Sequence, residues 1–342
     1  MAVPSNTQQT FSAVGVREQL ANVIFNTMPT ETPLFTMSKK VNVGSRTPEW
    51  QRSVDGDPAP TNATVEGDDI ANDATVQPER LKNVTQLYDK VAQVSSTMQA
   101  VNTAGRGNEM AYQMAMRGRE LKRDIESRWQ GNFASVLGNA STAGQAAGAE
   151  AYITTNSSRG ATGANGGFNS GTGLIAAAQD GTTRVITEDL FKGVIANVWI
   201  NGGEDAMVLC GPRMKQKISS SFTGVATQYN AIDGQKRVLI QGGIDLYRSD
   251  FGIHKIVPTR LGSYGTGRTR PYRPSGSTEE EVANRTVLVL DPKSWTTAFL
   301  QPIQQKPLAE QGHSIRRMLW CEATLECADE RTNGVLADVK VA

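Results

Sequence analysis

Few residues of this 342-residue chain have the types and spacing that catalysis or metal binding requires. The two histidines, His254 and His313, are far apart, and neither has a cysteine or a second histidine at metal-ligand spacing. The three cysteines, Cys210, Cys321 and Cys327, suit neither a zinc site nor a disulfide framework, so we expect small buried side chains. The sequence therefore predicts no catalytic residue, no metal site and no cofactor.

One glycine motif matches the fingerprint of dinucleotide-binding proteins. Gly171, Gly173 and Ala176 reproduce the G-x-G-x-x-A pattern, in which glycines let a strand-to-helix turn approach a pyrophosphate. No strand is predicted before the motif, and no acidic residue follows in a later strand about twenty positions on. A nucleotide-dependent enzyme that uses this motif is therefore the weaker alternative, and the sequence favours a protein that is not an enzyme.

Charge is unevenly distributed along the chain, although the net charge is only +1. Six acids and no base lie between residues 55 and 73, namely Asp55, Asp57, Glu66, Asp68, Asp69 and Asp73. Five bases and no acid lie between residues 255 and 273, namely Lys255, Arg260, Arg268, Arg270 and Arg273. Solvated loops are the plain interpretation, but two runs of opposite sign favour contacts between copies of the chain. Because the whole chain is nearly neutral, its basic run predicts only a weak, non-specific contact with DNA.

A long amphipathic helix is predicted from Gly105 to Trp129. Its apolar residues recur at helical spacing and form one stripe, which consists of Met110, Met114, Leu121, Ile125 and Trp129. The other faces are charged and include Arg117, Arg119, Arg123 and Glu126. We expect these faces to meet solvent or a partner, and we expect Gly118, which lies on the stripe, to mark a close approach by another element.

The N-terminal residues contain apolar side chains that their own segment cannot bury. A short helix is predicted at 16–25 and an apolar patch at 34–37. The side chains in question, Leu20, Ile24, Phe25 and Phe35, require a surface elsewhere in the fold or on a neighbouring copy. Residues 49–94 then read as two strands joined by a long polar excursion, a β-ribbon that is too thin to be stable alone.

The second half of the chain alternates loops, helices and strands. Gly, Ala, Ser and Thr make up 31 of the 47 residues from 136 to 182, which predicts a surface loop that supplies no core. A helix is predicted from Thr187, a buried strand at 206–210 and another helix from Pro212. Strands follow, and the alternation near the C-terminus places Cys321, Ala323, Leu325 and Cys327 on one face.

Collinear motifs along most of the chain carry a family resemblance. They are GVREQLANVIFNTMPTETPLFTM at 15–37, EWQ at 49–51, VEGDD at 65–69, NVTQ at 83–86, AGRGNEMAYQ at 104–113, ELKRDIE at 120–126, SDFG at 249–252, DPKSWTTAFLQP at 291–302 and LAEQGHSIRRMLWCEATLE at 308–326. In these motifs the chain resembles the major capsid proteins of tailed bacteriophages in the SU10-like group, which have the HK97-type fold.

The resemblance implies an α+β HK97-like capsid fold with a defined division of the chain. The implied regions are an N-terminal arm at 1–45, an extended hairpin or E-loop at 46–95, a peripheral domain at 96–194 with a spine helix at 105–129 and the insertion 136–182, an axial domain at 195–284, and peripheral closing strands at 285–342. The contact candidates named above in the arm, the two charged loops and the helix would then lie between subunits.

The implied function is self-assembly into hexamers and pentamers that form an icosahedral or prolate head around double-stranded DNA. Implied partners are further copies of the chain, a portal, scaffolding or decoration proteins, and packaged DNA. The implied location is the virion, after synthesis in the bacterial cytoplasm. No membrane partner is predicted, because no run approaches about 18 apolar residues. An encapsulin-like compartment, which shares the fold, is the alternative.

Overall fold

The computed structural model describes residues 31–53, 56, 58–67, 69, 75–101, 103, 105–204, 206–222, 245–260 and 285–341. Its helices are α1 (Pro33–Met37), α2 (Ser96–Ala100), α3 (Glu109–Gln130), α4 (Ala149–Tyr152), α5 (Glu188–Ile200) and α6 (Pro212–Ser221). Its strands are β1 (Lys39–Asn42), β2 (Glu49–Arg52), β3 (Glu79–Lys82), β4 (Gln86–Ser95), β5 (Ser157–Ser158), β6 (Gly167–Asn169), β7 (Leu174–Ala176), β8 (Arg184–Val185), β9 (Met207–Cys210), β10 (Leu246–Ser249), β11 (Gly252–Pro258), β12 (Val287–Leu290), β13 (Trp295–Pro307), β14 (Ser314–Cys327), β15 (Gly334–Leu336) and β16 (Val339–Lys340).

The first sheet carries the long helix α3 on one face. Its four strands lie in the order β1-β13-β14-β4. β1 runs parallel to β13, whereas β14 is antiparallel to both of its neighbours. Along β14 the side chains of Cys321, Ala323, Leu325 and Cys327 are all buried, which confirms the face that the alternation predicts.

Helix α3 begins at Glu109 rather than at Gly105, because Asn108 supplies the cap. The Asn108 side chain accepts a hydrogen bond from the Ala111 backbone N–H at 2.9 Å. The predicted apolar stripe is buried from Met110 to Trp129. A Cβ added at Gly118 would lie 3.8 Å from Leu319 Cδ1, so the expected close approach is an ordinary van der Waals contact.

The second sheet has six strands, in the order β10-β11-β9-β12-β15-β5, and separates two apolar clusters. In β9, Leu209 faces the cluster that contains Trp129, and Val208 faces the cluster that contains residues of α5 and α6. In β12, Leu288 and Val289 divide in the same way. Strands buried on both faces explain the continuous apolar runs in this part of the sequence.

Two of the expected domain boundaries separate residues that the structure packs together, one in the six-stranded sheet and one in helix α5. β12 and β15 belong to the six-stranded sheet with β9, so residues after 285 do not close the peripheral part alone. The expected boundary at residue 195 falls inside α5, whose Phe191, Val194 and Ile195 all lie in one cluster. The expectation followed chain order, whereas strand pairing joins segments that are distant in sequence.

The segment 136–182 is part of the core, so the prediction of a surface loop is wrong. Ala147, Ala149, Ala151, Ile153 and Ile175 are each at most 1% exposed and lie in the same cluster as the long helix. Small side chains achieve this burial by close approach of backbones. The composition predicts a segment without core-forming residues. Alanine and glycine nevertheless fill a core where the backbones of neighbouring segments pack closely.

The ribbon is shorter than its sequence suggests. β2 and β3 pair in antiparallel register from Glu49↔Lys82 to Arg52↔Glu79. β4, which was expected to belong to the returning ribbon strand, pairs with β14 over its whole length instead. Its Tyr88, Ala92 and Val94 are buried, so the range assigned to the E-loop includes a strand of the four-stranded sheet.

Candidate functional site

The described part of the ribbon is fastened to the body near its base. The Trp50 indole N–H donates to the Cys327 carbonyl oxygen at 2.8 Å, and the Arg52 guanidinium contacts the Asp329 carboxylate at 3.1 Å. Every described residue between 56 and 80 is exposed. Val65 and Val76 are 75% and 59% exposed, so the tip presents apolar side chains that its own chain leaves open to solvent.

Two of the six predicted ribbon acids lie among the described residues. Glu66 and Asp69 are both exposed, and Gly67 between them has a positive φ of 86° that turns the chain. The other four, Asp55, Asp57, Asp68 and Asp73, lie outside the described residues. The two described acids are therefore open to solvent.

The three arginines of the long helix are half-buried rather than fully offered outward. Arg117 pairs with Glu120 at 2.6 Å, and the Arg119 guanidinium lies 2.8 Å from the Met116 sulfur. Arg123 is half-buried as well. Arg117 and Arg119 therefore make contacts within their own helix, which leaves less of their charge available to a partner.

The basic run is described at its first residues only. Arg260 is exposed and lies 3.5 Å from the Glu31 carboxylate in an exposed ion pair. Arg268, Arg270 and Arg273 lie outside the described residues. Among the described candidate cations, Arg260 has the most exposed side chain, so it is the best placed to meet an acidic ribbon.

The arm residue Phe35 has a partner in its own chain. Its ring stacks on Trp129 with the ring centroids 5.5 Å apart, and the neighbouring Leu34 is fully buried. The sequence left open whether this patch packs elsewhere in its own fold or on a neighbouring copy. In the structure it packs within the fold. Leu20, Ile24 and Phe25 lie outside the described residues.

The glycine motif lies in a hairpin, which overturns the nucleotide-enzyme alternative. Gly171 and Gly173 form the turn between β6 and β7, and the Asn169 side chain accepts the Gly171 N–H at 2.9 Å. A dinucleotide fingerprint requires the turn between a strand and a helix, where the helix N-terminus meets the pyrophosphate. A strand, β6, does precede the motif, contrary to the prediction, but a second strand, β7, follows it in place of the helix.

The other residues that could do chemistry have structural roles. His254 is buried and its Nε2 lies 2.9 Å from the Ser249 hydroxyl. The three cysteines are buried free thiols, and burial raises the pKa of Cys210 and Cys321 to about 12. Within the described ranges no group of His, Cys, Asp or Glu could hold a metal ion, and no helix there is long and apolar enough to span a membrane.

Comparison with known proteins decides the family. The model of the SU10 major capsid protein family matches residues 3–340. The chain belongs to this family. A curated relative, the major capsid protein of Escherichia phage Phieco32, is 38% identical over 116 residues, and this match spans 33% of the chain and 32% of the relative. The SU10-type chain is therefore a structural capsid protein of a tailed phage and not an enzyme.

Solved structures confirm that this capsid protein has the HK97-type fold. The capsid of a native GTA particle is 12% identical and covers 97% of this chain and 98% of its own, with a TM-score of 0.58. A chain of Mycobacterium phage Ogopogo is 10% identical in sequence. The match covers 98% of this chain and 100% of the phage chain, with a TM-score of 0.57. The SrpI encapsulin of Synechococcus elongatus shares the fold. It is 11% identical, and the match covers 98% of this chain and 97% of the encapsulin, with a TM-score of 0.57.

Sequence reasoning missed three fully buried carboxylates of this capsid protein, Glu126, Glu150 and Asp338. The sequence predicts Glu126 on a charged face of the helix, yet it is fully buried. Asp338 is also fully buried and pairs with Arg285 at 2.6 Å. The one available signal was the position of Glu126 directly after Ile125, at the margin of the apolar stripe.

Proposed function

We propose that this chain assembles into hexamers and pentamers that form an icosahedral or prolate head around phage double-stranded DNA. The observation that carries the proposal is the connection between β2 and β3, where Val65 and Val76 are exposed. An isolated hairpin is marginal in water, and large exposed apolar side chains on such an element indicate a surface that a neighbouring subunit covers.

The acidic ribbon is proposed to dock on a basic surface of an adjacent subunit. Glu66 and Asp69 are exposed, and Lys255 and Arg260 are the exposed described cations of the basic run. Complementary charge fixes the register of such a contact more than its strength. The arginines of the long helix are weaker candidates, because all three are half-buried, whereas the Arg260 side chain is 62% exposed in its ion pair with Glu31.

Charge reversal tests this docking. Glu66→Lys combined with Asp69→Lys should reduce assembly, and adding Arg260→Glu should restore part of it. The matched control is Glu204→Lys, which reverses an exposed acid that pairs with Lys293 on the body. If the control reduces assembly as much as the ribbon variant, the ribbon acids have no special role.

Other contacts of the chain are part of the same proposal. Leu20, Ile24 and Phe25 are proposed as anchors on neighbouring subunits, whereas Phe35 contributes only the part of its ring that Trp129 leaves open. A portal, scaffolding or decoration proteins, and weak contact with packaged DNA complete the set of partners. The chain is proposed to be made in the bacterial cytoplasm and to join its neighbours without covalent crosslinks.

Electron microscopy of the expressed protein tests the assembly directly. Closed shells that contain nuclease-protected DNA in infected cells support a phage head, whereas shells of the same fold that enclose protein support an encapsulin-like compartment. Failure to form any shell at high concentration would contradict the proposal. Denaturing electrophoresis should show one band at 36.8 kDa, and a ladder of larger species would contradict the non-covalent joining.

A further inference from the structure

An open groove lies between helix α1 and the six-stranded sheet. Thr36 and Met37 of α1 line one side, and Met207 of β9 and Val257 of β11 line the other. Met37, Met207 and Val257 are half-buried, so the folded chain leaves part of their apolar surface open in the groove. Its volume of about 450 Å³ lies within the range of about 300–1,000 Å³ that is usual for ligand pockets. The groove is therefore large enough to receive side chains of a partner.

Positive charge predominates among the described residues around this groove. Lys255 lines it and is exposed. Glu31 also lines it, and this acid pairs with Arg260 at 3.5 Å. Both members of the pair are exposed, and such surface ion pairs contribute little stability, so Arg260 can exchange Glu31 for another carboxylate. Lys40 lies at the end of α1, where its ammonium donates to the Thr36 carbonyl oxygen at 3.4 Å.

The connection between β2 and β3 has features that match this groove. Val65 is 75% exposed, and the exposed Glu66 follows it directly. Gly67 turns the chain with a φ of 86°, and Asp69 is exposed as well. An apolar side chain beside carboxylates complements an apolar groove beside cations. Complementary charge of this kind steers two copies toward each other and fixes the register of their contact.

A second exposed apolar surface lacks this match of charge. The face of the four-stranded sheet that α3 leaves uncovered carries Leu87 and Val91 of β4, which are 58% and 36% exposed. The exposed Asp89 lies between them on the same face, and Glu322 of β14 pairs with Leu87 in the sheet register. Arg316 lies further along this face and is half-buried. The two carboxylates beside Leu87 disfavour contact with an acidic ribbon.

We propose that the groove between α1 and the six-stranded sheet receives Val65 and Glu66 of a neighbouring copy. The valine packs against the apolar side chains of the groove, and the carboxylate pairs with Arg260 or Lys255. The contact removes apolar surface of both copies from water, which favours association. This inference rests on the proposed assembly of the shell and names the surface that the ribbon meets.

Disulfide trapping in the full chain tests the contact. The native cysteines are buried, so Thr36→Cys, at an exposed position of the groove, and Val65→Cys provide the reactive thiols. After mild oxidation during assembly, the double variant should give multiples of the 36.8 kDa chain on non-reducing denaturing gels. Val65→Cys alone corrects for disulfides between two ribbons. The matched control, Leu87→Cys with Val65→Cys, should give about tenfold less product because like charges disfavour that contact.

Filling the groove provides a second test. Thr36→Trp adds a large side chain at an exposed position of the groove, whereas Leu87→Trp adds one on the uncovered sheet face. Thr36→Trp should abolish shell assembly and leave the denaturation midpoint unchanged, because the groove is open in the single chain. Leu87→Trp should change neither assembly nor the midpoint. If Thr36→Trp does not fold, the disulfide experiment decides.

Four results would overturn this contact. They are shells in which Thr36→Cys and Val65→Cys form no disulfide, equal trapping at Leu87→Cys, normal assembly of Thr36→Trp, and a Thr36→Trp variant that loses assembly and stability together. The last result would mean that residues of the same chain fill the groove. If charge reversal at Glu66 and Asp69 prevents assembly in any of these cases, the ribbon docks on another surface and the proposed assembly stands. A wild-type chain that forms no shell contradicts the proposed function itself.

Discussion

The ribbon beyond β2 and the segment 136–182 contain few large apolar residues, yet they occupy opposite environments. All described residues from 56 to 80 are exposed, whereas the segment buries Ala146, Ala147, Ala149 and Ile153 completely. The ribbon carries charges that must stay hydrated. The segment carries few charges, and its small residues let backbones approach closely. It does bury Glu150 and Asn156, and these side chains have partners in Arg159 and in the Asn333 carbonyl oxygen.

Glycine has a different role in each of the two regions. A Cβ added at Gly148 would lie 2.0 Å from the Gly131 carbonyl oxygen and 2.7 Å from that of Arg128. A Cβ added at Gly56 of the ribbon would meet nothing within 4 Å. The absence of a side chain is therefore a packing requirement in the segment, and the ribbon glycine carries no such requirement.

The largest effect should come from adding one methyl group to each region. Gly148→Ala should lower the free energy of unfolding by about 3 kcal/mol, because the atoms in the way are backbone atoms at the end of the long helix. Gly56→Ala, the matched control, should change it by no more than about 0.5 kcal/mol. Denaturant titration of both variants measures the difference. Equal values would mean that the close approach at Gly148 is not tight in solution.

An intermediate effect on stability should come from Asp338, whose carboxylate binds the C-terminal part of the segment 136–182. Asp338 accepts the N–H groups of Gly160 at 3.1 Å and Gly181 at 2.9 Å and pairs with Arg285. Burial acts to raise the pKa of Asp338, but Arg285 and the two N–H groups outweigh it and hold the pKa below its ordinary value. Asp338 has a positive φ of 58°, which asparagine tolerates. Asp338→Asn therefore keeps the backbone, while it removes the charge and replaces one of the two acceptor oxygens by a donor.

Asp338→Asn should cost about 2 kcal/mol of unfolding free energy near neutral pH. Because the folded pKa is depressed, the contribution is present above the unfolded value of 3.8 and is lost as pH falls through the folded value. The wild type and the variant should therefore converge below about pH 4. Thermal unfolding across this range measures the gap, and a gap independent of pH would show that the charge is not what holds the segment.

The sequence predicted the elements whose signal is local. Periodicity located the long helix and the inward face of β14, and Thr187 marked the start of α5, where its side chain accepts the Leu190 N–H. Local periodicity and helix caps do not predict burial that depends on residues far away in the sequence. Glu126 accepts the backbone N–H groups of Phe35 and Leu34, 91 and 92 positions away, and β12 joins a sheet whose neighbours come from 207–210 and 334–336. The same limit applies to the segment 136–182, because close backbone approach leaves no periodic pattern of large apolar residues.

The smallest effect on stability, and the sharpest separation of the two regions, should come from the ribbon tip. Val65→Ser with Val76→Ser removes apolar surface that the folded chain does not bury, so the free energy of unfolding should change by no more than about 0.5 kcal/mol. Assembly should nevertheless fall, because the same surface is proposed to be buried on a neighbour. Leu137→Ser is the matched control, since Leu137 is 52% exposed but lies on the packed segment. For the ribbon variant, light scattering should show reduced assembly although denaturant titration shows unchanged stability. For the control, neither assembly nor stability should change. A ribbon variant that assembles normally would mean that the exposed valines contact no neighbour.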